Sequence, residues 1–216
     1  MPDTITLDIN SPPIQYLYKK DKRLAKVISM VGPITYKTHT DDPYAFLVHE
    51  IIEQMLSVKA GIAIYNRLLV LCNGNISPEI IQALSFDEIK SIGTASSKVR
   101  CIKEMTNEVV SGHLNFDDFE TMTDDEITSK LLSIYGIGKW TAKMYLIFVL
   151  DRPDILPVED AAFLQAYKWV YKEDCHSKEE MIKRCRKWKP YSSYAARYLY
   201  RALDRGLTKT EFHLYK

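Results

Sequence analysis

Two stretches of this 216-residue chain hold residue types whose spacing suits chemistry. In the first, Leu131-Leu132-Ser133-Ile134-Tyr135-Gly136-Ile137-Gly138-Lys139-Trp140-Thr141-Ala142, a helix ends, a Gly-x-Gly turn follows and a new helix begins. Two glycines admit positive φ and the close approach of another backbone. The N–H groups that open the following helix form an anion site suited to a DNA phosphate, and Lys139 adds positive charge. Such a turn touches the nucleic-acid backbone, so it binds without reading base sequence. The same pattern also serves as a plain helix–helix connection. In the second stretch, Leu156-Pro157-Val158-Glu159-Asp160-Ala161-Ala162-Phe163, Pro157 ends one segment and Asp160 starts the next helix. An aspartate there is first of all an N-cap, worth about 1 kcal/mol. Taken singly, neither stretch names a reaction.

The elements that must carry these residues read as short helices. Asp42-Pro43 is an N-cap followed by proline at the first helical position, and Tyr44, Phe46, Leu47, Val48, Ile51, Ile52 and Met55 continue with helical apolar spacing. Ser57 caps a second helix stopped at Asn73-Gly74, and Ser77-Pro78-Glu79 opens another. A longer helix runs from Thr94 to Ser111. Thr123-Asp124-Asp125-Glu126 and Ser177-Lys178-Glu179-Glu180 have the form of capping boxes. Further helices are expected over Lys139–Leu150, Asp160–Tyr171 and Tyr191–Leu203. Only Thr4 to Ile9 alternates with strand period, and Ser11-Pro12-Pro13 is expected to break it. The fold class is all-α in two helical lobes. Residues 1–20 read as an N-terminal extension with a short strand, and residues 21–216 as the main domain.

Composition excludes several classes of function. An apolar share of 46% beside 26% charged residues describes a globular chain and not a disordered one. The longest apolar run, Met144–Leu150, falls far short of the roughly 20 residues that span a bilayer. Met1-Pro2-Asp3-Thr4 has no basic or apolar leader character, so no signal peptide is expected and the location expected is cytoplasmic, nucleoid-associated in a bacterium or nuclear in a eukaryote. Cys72, Cys101, Cys175 and Cys185 are scattered without a C-x-x-C and read as reduced thiols. A net charge of +1 excludes a charge-driven DNA coat, yet Lys178 to Arg205 holds nine basic residues against three acidic ones. That segment reads either as a basic face or as a solvated helix surface. His39, His49, His113, His176 and His213 show no ligand spacing and read as structural or surface groups.

Taken together, the two stretches resemble the helix-hairpin-helix and Gly/Pro-Asp signature of a DNA glycosylase superfamily, in particular its alkylation-repair branch, the 3-methyladenine DNA glycosylase II type. Two further blocks fall in the same order. Asp41-Asp42-Pro43-Tyr44 through Glu53-Gln54-Met55-Leu56-Ser57 is similar to the family's first block, which usually ends Gln-Gln-hydrophobic-Ser, with Glu53 here in place of the first glutamine. Trp188-Lys189-Pro190-Tyr191-Ser192-Ser193-Tyr194-Ala195 is similar to its C-terminal Trp-x-Pro-aromatic-x-Ser-Tyr-Ala signature. The resemblance runs from about Asp21 to Gly206. It implies two helical lobes with a helix-hairpin-helix motif, an interlobe active-site cleft and double-stranded DNA with damaged bases as partner, bound by a monomer. Room for the β-rich N-terminal domain of larger members is lacking, and so are the four clustered cysteines of an iron–sulfur cluster, so neither is expected.

The resemblance also implies roles by position. Asp160 matches the catalytic aspartate, with Glu159 as the neighbouring rival; a carboxylate there stabilises the oxocarbenium character that develops when an N-glycosidic bond breaks. Met55 matches the wedge that fills the gap left by a flipped nucleotide, with Gln54 beside it. Gly136, Gly138, Lys139 and Thr141 belong to the DNA-binding hairpin. Trp140 and Tyr200 align with aromatic pocket positions, Tyr191 and Tyr135 less closely, and rings suit electron-poor alkylated purines. Bifunctional members carry a nucleophilic lysine where Trp140 stands. Lys139 lies one residue early, about 100° around the helix, so a monofunctional enzyme using water is expected. No second acid to protonate the leaving base is evident, which suits bases that are already cationic. The main-chain oxygens of Leu132, Ile134 and Gly136 match a Na⁺ or K⁺ site of the family hairpin, and no organic cofactor is expected. The alternative is a non-catalytic hairpin module that binds bent or damaged DNA.

Overall fold

The computed structural model describes residues 4–172 and 177–215. Cys175 and His176 therefore lie outside the described residues. Two compact units form, one from 1–38 with 151–216 and the other from 39–150. Among the described residues no helix is long and apolar enough to cross a membrane.

The first unit opens with strand β1 (Thr4–Leu7), helix α1 (Pro12–Lys20), helix α2 (Lys22–Val31) and strand β2 (Ile34–Lys37). Ser11-Pro12-Pro13 does end the strand, but it also starts α1, because proline at the first helical positions removes only N–H groups that would be unpaired anyway. β2 was not legible in the sequence. Its four residues become a strand by pairing antiparallel with β1, with Leu7 opposite Ile34 and Ile5 opposite Tyr36. Asp21 links α1 to α2 and caps α2 by accepting from the N–H groups of Arg23 and Leu24. The chain returns through α10 (Ala161–Tyr171), α11 (Lys178–Cys185) and α12 (Ser192–Asp204). Ile14, Leu17, Leu24, Val27, Phe163, Ala166, Trp188 and Leu199 are fully buried in one core. Residues 4–20 thus supply part of this core. Ala195, Ala196 and Ala202 give α12 the small face on which α10 and α2 pack.

The second unit is built from α3 (Pro43–Glu53), α4 (Val58–Leu71), α5 (Pro78–Ala83), α6 (Phe86–Ser91), α7 (Ser96–Val110), α8 (Asp124–Leu132) and α9 (Lys139–Phe148). The caps fall where the sequence placed them. Asp42, Ser57 and Ser77 each accept from an N–H three residues on, and Thr123 with Glu126 forms a reciprocal box. Helix α7 starts at Ser96, two residues later than expected, behind Ala95, which has no side-chain acceptor. The core of this unit holds Leu47, Ile51, Leu68, Val99, Ile102, Phe119, Ile127, Leu131 and Ile147.

Candidate active site

The hairpin joins α8 to α9 as expected, but its two glycines do different work. Gly136 has φ +82°, and a Cβ added there would stand 2.9 Å from the Cβ and Sγ of Cys101. Both conformation and space therefore exclude a side chain. Gly138 has φ −105° and open surroundings, so it needs no left-handed backbone, contrary to expectation. It is the N-cap of α9 and has no side chain to accept from the first-turn N–H groups. The helix N-terminus thus has no side-chain cap, and Lys139 stands exposed at its first position. Trp140 is half-buried in the same turn, and Thr141 is buried. Tyr135 sits on the turn under the guanidinium of Arg100, 4.1 Å from its ring centre, and Arg100 is in turn held by Glu104 at 2.7 Å. A cavity of about 390 Å³ beside it is lined by Glu104, Asn107, Glu108, Ser133, Ile134 and Tyr135. Its two carboxylates make it unsuited to a phosphate.

Gln54 and Met55 belong to the same unit as the hairpin and are joined to it. Gln54 Nε2 donates to the Gly136 carbonyl and to Thr141 Oγ1, each at 3.1 Å. Met55 follows with φ +59°, and its side chain is completely exposed. Helix α3 ends at Glu53, so Met55 does not continue its apolar spacing as expected, and a side chain this exposed packs in no core.

Asp160, Tyr200 and Tyr191 lie in the other unit. The Pro157 carbonyl accepts from Asp160 N–H at 3.0 Å, which closes the turn that delivers the carboxylate. Asp160 is 8% exposed, and its Oδ1 accepts from Phe163 N–H at 2.7 Å. It is therefore the N-cap of α10, as its position alone would suggest, and its second oxygen is not used in that cap. The Phe163 ring meets Tyr200 edge-on at 6.5 Å, so Tyr200 and Asp160 flank one residue. Tyr191 stacks on Tyr194 at 6.1 Å and takes Tyr16 edge-on at 5.4 Å.

Sequence reasoning missed how the loop ahead of Asp160 is held. Asp154 Oδ1 accepts from Ser192 N–H at 3.2 Å and from its hydroxyl at 2.5 Å. Ser193 N–H donates to the Pro153 carbonyl, and its Oγ accepts from Ile155 N–H, both at 2.9 Å. Asp151 accepts from Arg197 at 2.9 Å and from the Tyr36 hydroxyl at 3.0 Å. Burial pushes the Asp151 carboxyl up, against the pull of Arg197 and Tyr36. The serines of the C-terminal block were visible in the sequence; their partners, some 38 residues earlier, were not.

The charged segment Lys178 to Arg205 is not a single basic face. Arg197 is buried against Asp151, and Lys187 and Lys189 pair with Asp21 and Asp154 at 3.0 and 3.6 Å. Arg184 lies over the Tyr171 ring, and Arg205 donates to the Val31 carbonyl. Much of the charge that the sequence sums is thus used inside the first unit.

His49 is the histidine whose surroundings the sequence did not reveal. Its Nδ1 lies 3.4 Å from Glu50 and its Nε2 lies 3.5 Å from Glu53. Glu53, the departure from the family's glutamine, lies against Gly61, where a Cβ would come within 2.6 Å of its Cγ. The three side chains are close enough to share an ion, but the two ring nitrogens face different carboxylates, which is the arrangement of an imidazolium between two anions. Burial opposes the His49 charge, and the Glu50 hydrogen bond with both carboxylate charges outweighs it, so its pKa is raised. Burial, reinforced by Glu50 and opposed by His49, raises that of Glu53 as well. Both shifts have the same sign: protonated forms favour the fold, so their stabilisation is full below the unfolded values and lost as pH rises through the folded ones. Unfolding midpoints in urea should fall as pH rises from 6 to 8, and His49→Gln should flatten that fall; an unchanged slope would refute the pairing.

Residues 48–190 match the HhH-GPD superfamily of base excision DNA repair proteins. The chain is 28% identical over 184 residues to DNA-3-methyladenine glycosylase 1 of Schizosaccharomyces pombe, covering 83% of this chain and 80% of that one. It is similar to a solved DNA-3-methyladenine glycosidase from Bacillus halodurans, with TM-score 0.83, 31% identity and 97% of each chain covered. It is also similar to a Schizosaccharomyces pombe 3-methyladenine DNA glycosylase solved with abasic DNA, with TM-score 0.83, 25% identity, and 95% of this chain and 100% of that one covered. Two helices joined by a Gly-x-Gly hairpin, and an aspartate delivered by a proline turn, are what the superfamily's name abbreviates: this chain belongs to the HhH-GPD superfamily of base excision DNA repair proteins.

Proposed function

We propose that this protein is a monofunctional DNA glycosylase that hydrolyses the N-glycosidic bond of alkylated purines, of the 3-methyladenine type, in base excision repair. The observation that carries the reading is the Asp160 carboxylate. It is nearly buried and fixed by one oxygen to the Phe163 N–H. A carboxylate held this way meets the developing positive charge on the sugar without having to reorganise. The same carboxylate orients or deprotonates the attacking water. The N–H groups at the start of α9, with Lys139, hold a DNA phosphate. Met55 enters the stack in place of the nucleotide that is swung out. Trp140 and Tyr200, with Tyr191, offer rings to an electron-poor base, and cation–π attraction contributes roughly 0.5–2 kcal/mol for each such ring. Tyr135, the less closely aligned candidate, lies under Arg100.

An alkylated purine leaves as a neutral base, which is why Asp160 needs no partner acid. No lysine is in place of Trp140 to form a Schiff base, so the product is an abasic site in an intact strand. Three main-chain oxygens of the hairpin, those of Leu132, Ile134 and Gly136, suit a singly charged hard cation. The Gly136 carbonyl accepts from Gln54 and that of Ile134 from Ile137 N–H, and each keeps a second lone pair. Such an ion adds positive charge beside the phosphate. We read the protein as a monomer on double-stranded DNA.

Purified protein incubated with methylated duplex DNA should release free methylpurines, and strand breaks should appear only after alkali. Binding to damaged DNA without release would support the non-catalytic module instead. Breaks before alkali would refute the argument from Trp140.

A further inference from the structure

Met55 has a backbone conformation that methionine avoids. Its φ of +59° lies in the left-handed region, where a Cβ is crowded by the neighbouring carbonyl. Its side chain is 101% exposed, so no packing of its own offsets this strain. The turn must be held by its surroundings, and two groups do so.

Upstream, α3 ends at Glu53 and leaves its last carbonyls without helical partners. Lys98, on α7, answers them: its Nζ donates to the Ile52 carbonyl at 2.8 Å and to the Gln54 carbonyl at 2.6 Å. Burial holds this ammonium below the usual lysine range. Among the described residues no carboxylate pairs with it, so its charge is directed at the negative end of α3. Beside it, Gln54 ties the same turn to Gly136 and Thr141 of the hairpin. Leu56 N–H closes the turn on the Glu53 carbonyl at 3.0 Å.

We infer that Lys98 is a positioning residue for base flipping: by clamping the carbonyls of Ile52 and Gln54 it presents Met55 as a wedge formed before DNA arrives. The inference rests on the glycosylase reading above. Its physical content is a dependence on base pairing. A preformed wedge offsets the loss of stacking and pairing when a base is swung out, and that loss is smallest for a base with no partner. A clamp that merely stabilised α3 would act alike on every substrate.

The test is single-turnover release of one methylated purine from two duplexes. In one the lesion stands opposite cytosine or thymine, as its pairing demands; in the other it stands opposite a tetrahydrofuran site. Lys98→Met keeps the aliphatic stem and removes the donor. It should slow release about tenfold on the paired lesion, the scale of losing a charged hydrogen bond, and less than about threefold on the unpaired one. Met55→Ala should show the same asymmetry, and the double variant should be no slower than the worse single one, since both changes remove one device. Equal slowing on both duplexes, or additive losses in the double variant, would overturn the inference. Should Lys98→Met fail to fold, Lys98→Gln, whose shorter neutral amide removes the charge and the reach of the ammonium, is read by the same ratio. A wild type that releases no methylated purine from either duplex overturns the glycosylase reading itself, a result distinct from equal slowing.

Discussion

Asp160→Asn is expected to abolish base release while leaving the fold intact. The two roles of this side chain separate cleanly in that substitution. Asparagine retains the Oδ1 that accepts from Phe163 N–H, and it caps helices as well as aspartate does. Only the negative charge is lost, and with it the stabilisation of an oxocarbenium-like transition state. Removing a preorganised charge partner of this kind costs about 4 kcal/mol, or about a thousandfold in rate. Affinity for abasic DNA at fixed salt should hold or increase, because a carboxylate near phosphates opposes binding. Asp160→Ala loses the cap in addition and should lower stability by about 1 kcal/mol. Single-turnover release of methylpurines, with thermal unfolding as control, decides the matter. A variant within tenfold of wild type would remove Asp160 from the mechanism and return it to the role of an N-cap.

The largest expected effect on stability belongs to Asp21, far from any proposed chemistry in sequence. It is 3% exposed and caps α2 through Arg23 and Leu24. Its Oδ2 also accepts from Trp188 Nε1 at 2.9 Å, from the Tyr171 hydroxyl and from Lys187 at 3.0 Å. Burial alone would raise its pKa, but these donors outweigh burial and hold it below the usual carboxylate value. Asp21→Ala strands the Tyr171 hydroxyl and the Trp188 N–H inside the core and removes a cap. The expected loss is about 3–5 kcal/mol, read from urea unfolding with the slope unchanged. The lowered pKa adds a direction: the stability that Asp21 contributes is present above the unfolded value and lost as pH falls through the folded one. An alanine variant within 1 kcal/mol of wild type would show that water replaces these bonds.

Capping residues and proline turns were readable because their energetics are local. Thr123 and Glu126, Asp42 and Ala45, Asp160 and Phe163 are three residues apart, so their types and spacing determine their bonds. Gly136 was readable for the same reason, although Gly138 shows that a glycine pattern does not say which member needs the left-handed backbone. The aromatic and basic residues were legible in kind and not in use. Trp188, quoted from the C-terminal block, proves to be a fully buried donor to Asp21. Lys187, Lys189 and Arg197, counted as one basic segment, are bound to three different aspartates.

By itself, then, the sequence determined the helical class, most helix boundaries, the hairpin and the aspartate turn, because helix starts and turns are decided within a few residues. Tertiary structure alone decided the rest. β2 exists only because β1 lies beside it, and Asp21 meets its acceptor duties across separations of 150 and 167 residues. The same holds for the Met55 turn, which Lys98 grips from 44 residues away. Nothing in the spacing of Lys98 and Gln54 announces that contact. The physical reason is that an orphaned carbonyl or a strained φ demands a partner without specifying where in the chain it comes from.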